Sequence, residues 1–239
     1  MFKNREDFIR YASGYKGQVS KDDLIIDLCR DKTVLDLGCI DHSAQRALAL
    51  GERWLHRRIK DVASELLGVD MLAEDAQKLN QLGYRIIAED VTRMKLEREF
   101  DVIVAGDLIE HVSNVGMFLD CIANHMHPES ICVITTPNPF NIEQTMLAVF
   151  HNQIAVNPQH VSWLDPRVMY ELISRSSLFI SDFHWVDTRF NFPIKKKGWK
   201  TPINKLSAYL MKKRPILRRD YAVVLARSDA KRGSRRYAP

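Results

Sequence analysis

"VLDLGCIDHSAQRALAL", residues Val34 to Leu50, decides the fold of this chain. An apolar run ends in Asp36-Leu37-Gly38, and a helix-forming stretch follows that stops near Gly51, with Asp41 or Ser43 able to cap its start. A strand that turns through a glycine into a helix opens the sheets that bind ligands beyond the carboxyl ends of their strands. The rest of the turn departs from the glycine-rich pattern. Ile40 and His42 stand where a dinucleotide loop would place its second and third glycines. Isoleucine is a poor occupant of positive φ, and side chains there obstruct the close backbone approach that a pyrophosphate needs. The stretch therefore reads as a ligand-binding turn that does not hold NAD.

Working outward, similar apolar runs recur: "ELLGVD" (65–70), "RIIAED" (85–90), "FDVIVAGD" (100–107), "ICVITTPN" (131–138), "FISDFHWV" (179–186) and "YAVVLAR" (221–227). Near-continuous apolar runs are what strands buried on both faces require, and amphipathic stretches such as "MLAEDAQKLNQLG" (71–83) lie between them. The alternation predicts an α/β fold with a doubly wound seven-stranded sheet. Residues 1–30 are expected to form two helices capping one edge, and 31–188 the ligand-binding core. Within the core, 139–166 is too long for a bare connection and reads as a substrate-cover insert. Residues 189–239 form a basic C-terminal segment that includes the last strand, 221–227. "GERWLHRRIKDVAS" (51–64) exceeds a minimal strand–helix–strand unit and is expected to lie on the surface.

At 239 residues with 46% hydrophobic content the chain can bury a sizeable core. Its net charge of +5 is unevenly spread: residues 189–239 hold 16 Lys/Arg against Asp220 and Asp229, net +14, and the remainder holds 19 against 28 acidic residues, net −9. Such asymmetry suits an anionic partner surface. Thr201 and Pro202 can start a helix there, with Ile203, Leu206, Leu210 and Met211 on one face and lysines on the others, a pattern that suits an anionic membrane. Nucleic acid is less suited, since no aromatic platform accompanies the charge. The charged N-terminus does not read as a signal peptide, no apolar run reaches the roughly 18 residues of a membrane span, and the four cysteines lack zinc-ligand spacing. A cytoplasmic chain is expected, peripheral at the inner membrane face, with no metal.

The strand ends carry the chemistry. Asp36 with Gly38, Asp70, Asp90 and Asp107 close successive apolar runs. A carboxylate ending the second strand can accept hydrogen bonds from ribose hydroxyls, and one ending the third can reach an adenine amino group. In this order the chain resembles the class I S-adenosylmethionine-dependent methyltransferases over roughly residues 30–187. "VLDLGC" and "LLGVD" look like the first two motifs, "IIAEDV" the third, "FDVIVAGDLIEHV" the fourth and "ICVITTPNPFN" the fifth strand. The resemblance implies S-adenosylmethionine as cofactor, with Asp36, Gly38, Asp70, Asp90 and Asp107 at its site. The methionine end of that cofactor carries no phosphate, so a turn poor in glycine can accommodate it. "TPNPFN" and the histidine-containing loop are most similar to enzymes methylating bacterial cell-envelope sugars or lipids.

A sugar hydroxyl is a weak nucleophile at neutral pH and benefits from a general base. His111 follows the fourth strand and His160 belongs to the insert, so both are expected to overhang the transferred methyl group, with Glu110 supporting its neighbours. His125 and His127 are expected to face solvent. The function read from the chain is O-methylation of an envelope sugar or lipid-linked glycan precursor. Its rivals are an RNA methyltransferase using the basic tail and a non-catalytic scaffold with a degenerate cofactor turn.

Overall fold

The computed structural model describes residues 2–15, 17, 19–187 and 209–229. The apolar runs become strands in one open sheet: β1 (Val19–Ser20), β2 (Thr33–Leu37), β3 (Glu65–Asp70), β4 (Ile86–Ala88), β5 (Phe100–Gly106), β6 (Met126–Pro137), β7 (Leu178–Asp187) and β8 (Asp220–Arg227). Their order is β1-β7-β8-β6-β5-β2-β3-β4, with β8 antiparallel to both neighbours and the other pairs parallel. The sheet has one strand more than expected. The extra one is β1, two residues too short and too polar to register as an apolar run, which pairs with β7 at the edge.

Successive residues on a strand face opposite sides, and the core divides accordingly. Leu35, Leu37, Ile103, Ala105, Cys132 and Ile134 face a large cluster. It is completed by helices α1 (Arg5–Gly14), α6 (Val115–Asn124) and α8 (Pro166–Ser174). Val34, Val102, Val104 and Val133 face the other side, beneath α2 (Lys21–Cys29) and α4 (Leu55–Lys60). Helices α3 (Ala44–Leu50) and α5 (Ala73–Gln81) cover the β3–β4 end. Phe8 of α1 is fully buried in the main cluster, so the N-terminal cap shares the core rather than bordering it.

Strand order reverses between β5 and β2, the point at which such sheets open a ligand crevice at their carboxyl ends. Gly38 makes the turn there at φ +66°, and a side chain on it would meet Leu108 Cδ1 at 2.8 Å. Ser43 caps α3 through Arg46 N, and Gly51 ends the helix, as read from the sequence.

The 51–64 stretch is a correction. It was expected on the surface, yet Trp54 and His56 are buried beneath the β2 turn. Trp54 Nε1 donates to the Cys39 carbonyl at 2.8 Å, and His56 Nδ1 lies 2.8 Å from Asp36 Oδ2. The cause is the cost of leaving a buried carboxylate and carbonyl unpaired, which this stretch relieves. Gly68 makes the room: a Cβ there would sit 2.9 Å from His56 Cε1 and 2.6 Å from Cys39 Sγ. His125 is a second correction. It is buried, bonded to the Cys121 carbonyl and accepting from Leu96 N, while half-buried His127 lies between Asp101 and Glu129. The helix read from Thr201 lies mostly outside the described residues, which include only its last turn at 209–213.

Gly38→Ala should destabilise the chain by about 1–2 kcal/mol, the usual cost of a left-handed side chain. Calorimetry should show this as a melting point lowered by roughly 2–8 °C. An unchanged melting point would mean the turn can give up its positive φ.

Candidate active site

Five elements converge at the carboxyl end of β5. The chain leaves β5 through Asp107 in the left-handed region at φ +50°. Asp107 Oδ1 accepts from Thr135 Oγ1 at 2.9 Å, and its backbone N–H donates to the Thr135 carbonyl at 3.1 Å. Oδ2 is paired with the buried ammonium of Lys21. The parallel β1–β7 pairing explains how an N-terminal residue comes to be here. It delivers the start of α2, where Lys21 is the first residue and Ser20 the cap, to the carboxyl end of the sheet. Burial opposes charge on both partners. Each nonetheless keeps the other charged, Lys21 above and Asp107 below its ordinary pKa.

Glu110 is held differently. It is buried, with Oε2 accepting from Thr136 Oγ1 at 2.9 Å and Oε1 without a partner. Burial first, and then the nearby charge of Asp107, push its carboxyl up to about 8, so it is protonated at neutral pH. Its carbonyl accepts from Val161 N at 2.9 Å and Ser162 N at 3.3 Å, which fastens the 139–166 insert over the strand ends. The return of that insert is pinned again where Tyr221 Oη donates to the Leu164 carbonyl at 2.7 Å.

The structure brings His111 and His160 together. Their rings meet edge to face with centroids 4.7 Å apart, both half-buried. His111 Nδ1 lies 3.1 Å from the Gln159 carbonyl, which can only accept. Nδ1 therefore carries the proton, and Nε2 of the neutral ring is left as an acceptor. Burial and then the neighbouring His111 lower the pKa of His160. Glu110, His111 and His160 offer donor atoms within 4.8 Å of one another. These are types that ligate divalent ions, but ligands on one tetrahedral ion sit about 3.4 Å apart, so the group would have to close to hold one.

The cofactor candidates divide between the crevice and its walls. Asp70, buried at the end of β3, accepts from Ile40 N at 2.9 Å and Leu72 N at 3.1 Å. Burial raises its pKa against those hydrogen bonds. It thus ties the β2 turn to β3 beside exposed Met71 and Leu72. In that turn His42, not Ile40, takes positive φ, at +59°. Asp90 follows β4 and accepts from Thr92 N and Oγ1 through Oδ1, which lowers its pKa. Asp36 faces inward to His56. A separate groove of about 670 Å³ lies against α6, lined by Thr92, Arg93, Met94, Met117, Asp120 and Cys121, and contains neither histidine of the pair.

Residues 11–177 fit the family model described as methyltransferase domain. The chain belongs to the methyltransferase-domain family. The chain is 26% identical over 133 residues to the mitochondrial ubiquinone biosynthesis O-methyltransferase of Rattus norvegicus, covering 51% of the chain and 35% of that protein. It is 21% identical over 184 residues to (S)-tetrahydroprotoberberine N-methyltransferase of Eschscholzia californica, covering 73% of the chain and 49% of that protein. The chain spans about a third to a half of the length of these two relatives. Its fold is shared with a SAM dependent methyltransferase from Archaeoglobus fulgidus, at TM-score 0.51 and 17% identity, over 87% of this chain and 95% of that one.

Sequence reasoning missed Lys21, His56 and the Thr135–Thr136 pair. The signal for His56 was Asp36 itself, a carboxylate inside a buried strand that had to find a donor. Lys21 had no local signal, because its partner lies 86 residues away.

Glu110 generates a pH prediction. Its stabilising contribution is complete below its ordinary value of 4.5 and is lost as pH rises through about 8, since the unfolded chain releases the proton first. Glu110→Gln should remove that loss. Urea unfolding across this range should favour the variant increasingly, by up to about 4 kcal/mol, as pH rises. Parallel pH profiles for the two proteins would show that Glu110 ionises freely.

Proposed function

We infer that the chain transfers the methyl group of S-adenosylmethionine to a hydroxyl of a cell-envelope sugar or lipid-linked glycan precursor. The observation that carries this reading is the His111 ring, its Nδ1 committed to the Gln159 carbonyl and its Nε2 available as a base beside the strand-end carboxylates.

The residues present fit the cofactor. Gly38 makes the β2 turn at positive φ, a conformation a side chain would strain. Asp70 supplies a carboxylate for a ribose, and exposed Met71 and Leu72 beside it supply apolar surface for a purine. Asp90 would take an adenine amino group, and Asp107 and the turn from Gly38 would hold the methionine end, with Asp36 supporting the turn through His56. When bound, S-adenosylmethionine supplies an electrophilic methyl group on a sulfonium.

The protein's part is positioning and proton transfer. A well-oriented acceptor gains of order 7–11 kcal/mol over a free encounter, and the fastened insert provides the orientation and excludes water. Nε2 of His111 takes the proton of the acceptor hydroxyl as the oxygen is methylated. His160, held neutral by burial and by its neighbour, is a hydrogen-bonding partner for the acceptor. The motifs after β6 and the basic C-terminal charge support an anionic, lipid-linked glycan as acceptor. The relatives' names cover both oxygen and nitrogen acceptors. A neutral amine needs no base to be nucleophilic, so dependence on His111 separates the two classes.

Asp70→Asn keeps the shape of the side chain and removes its charge. Hydrogen bonds to a charged group are worth about 1.5–3 kcal/mol each, so S-adenosylhomocysteine should bind at least tenfold more weakly in calorimetry. Equal affinity, or no binding by the unmutated chain, would end the cofactor assignment.

The histidines should separate kinetically. His111→Ala should lower kcat by roughly 10²–10⁴ with cofactor affinity intact. His160→Ala should act mainly on the acceptor KM. The opposite pattern would exchange the two roles, and normal kcat in both variants would point to an acceptor that needs no base.

A further inference from the structure

Helix α7 (Ile142–His151) is an apolar helix whose C-terminal end is exposed. Of its ten residues only Ile142 is buried, while Val149 is 69% and Phe150 71% exposed. Ile154, two residues past the left-handed Asn152 that ends the helix, is 69% exposed, and Phe140 at the other end is 56% exposed. Single exposed apolar residues are ordinary, but a contiguous group at a helix end marks a contact surface. A helix this short is marginal in water unless an apolar face is buried.

Cationic residues adjoin the foot of this helix. Asn138, just before α7, donates from Nδ2 to the carbonyls of Ile216 and Arg218 at 2.7 Å each, and Arg219 is paired with Glu143 of α7. These contacts hold the exposed basic turn Lys212-Lys213-Arg214 to the root of the insert. The apolar helix and the segment that follows the basic turn are thus joined at the root of the insert, in a chain whose last 51 residues carry net charge +14.

We propose that α7 is a membrane-docking wedge: Val149, Phe150 and Ile154 enter the interfacial region of an anionic bilayer while Lys212, Lys213 and Arg214 meet its headgroups. Apolar side chains on one part and cations on another is the combination that holds interfacial helices to anionic lipid, and neither alone binds firmly. A protein groove would satisfy the apolar tip but would leave the basic root without a role. The same insert carries His160 and the Gln159 carbonyl that orients His111, so docking would hold a lipid-linked acceptor against the histidine pair. The surface in this way deepens the reading given above.

The test is co-sedimentation of the full chain with vesicles of equal parts phosphatidylcholine and phosphatidylglycerol, against vesicles of phosphatidylcholine alone. Binding should require the anionic lipid and weaken steeply with salt. Val149→Ser with Phe150→Ser should reduce partitioning at least tenfold, and Lys212→Gln with Lys213→Gln should do so independently. Both doubles should bind S-adenosylhomocysteine as the unmutated chain does, which separates a failure here from a failure of the methyltransferase reading. Three results would overturn the proposal. The first is no binding to anionic vesicles, and the second is binding that ignores the Val149/Phe150 change. The third is an unmutated chain that sediments as a dimer and a Val149/Phe150 variant that sediments as a monomer, which would assign the tip to a second copy.

Discussion

The pair of buried Lys21 and half-buried Asp107 is the interaction on which the site depends. It joins the N-terminal helix α2 to the end of β5, and through Thr135 to the end of β6, so three elements remote in sequence share one charge pair. Its electrostatic reach is wider than its contacts. With Asp107 ionised, a second carboxylate a turn away cannot easily ionise as well, and Glu110 is neutral for this reason in addition to its burial. A neutral Glu110 can remain inside and offer its carbonyl to Val161 and Ser162, which sets the insert and hence the height of His160 over the crevice.

Much of this was legible in the residues because strands buried on both faces leave an unmistakable pattern. The apolar runs from 34 to 227 located seven of the eight strands among the described residues. The eighth escaped because Val19 and Ser20 form a strand only through pairing with Val186 and Asp187, a relation that no local pattern encodes. His111 was legible from its place after the fourth strand and His160 from its place in the insert, and their rings meet at 4.7 Å. Trp54 and His56 were misread for a different reason. In sequence they sit among arginines, and only the inward-facing Asp36 and the Cys39 carbonyl make them core.

The unusual turn after β2 has a consistent physical account. A glycine-rich loop supports itself through backbone freedom. This one is supported from outside, by Trp54 on Cys39 and by Asp70 on Ile40 N, with His42 taking the left-handed residue that a glycine would. Histidine tolerates that conformation better than a β-branched residue does. The turn is consequently stiffer and less able to wrap a pyrophosphate, and it brings the buried carboxylate of Asp70 against the loop backbone at the mouth of the crevice.

Hydrogen exchange of the backbone amides with and without S-adenosylhomocysteine tests the central claim most directly. If the cofactor occupies the carboxyl ends of β2, β3, β4 and β5, amides at 36–43, 70–72, 90–92 and 107–111 should exchange more slowly in its presence, the β2 turn most of all. Protection confined to the groove at 92–99 and α6, or no protection anywhere at saturating ligand, would contradict the placement of the cofactor and the mechanism built on it.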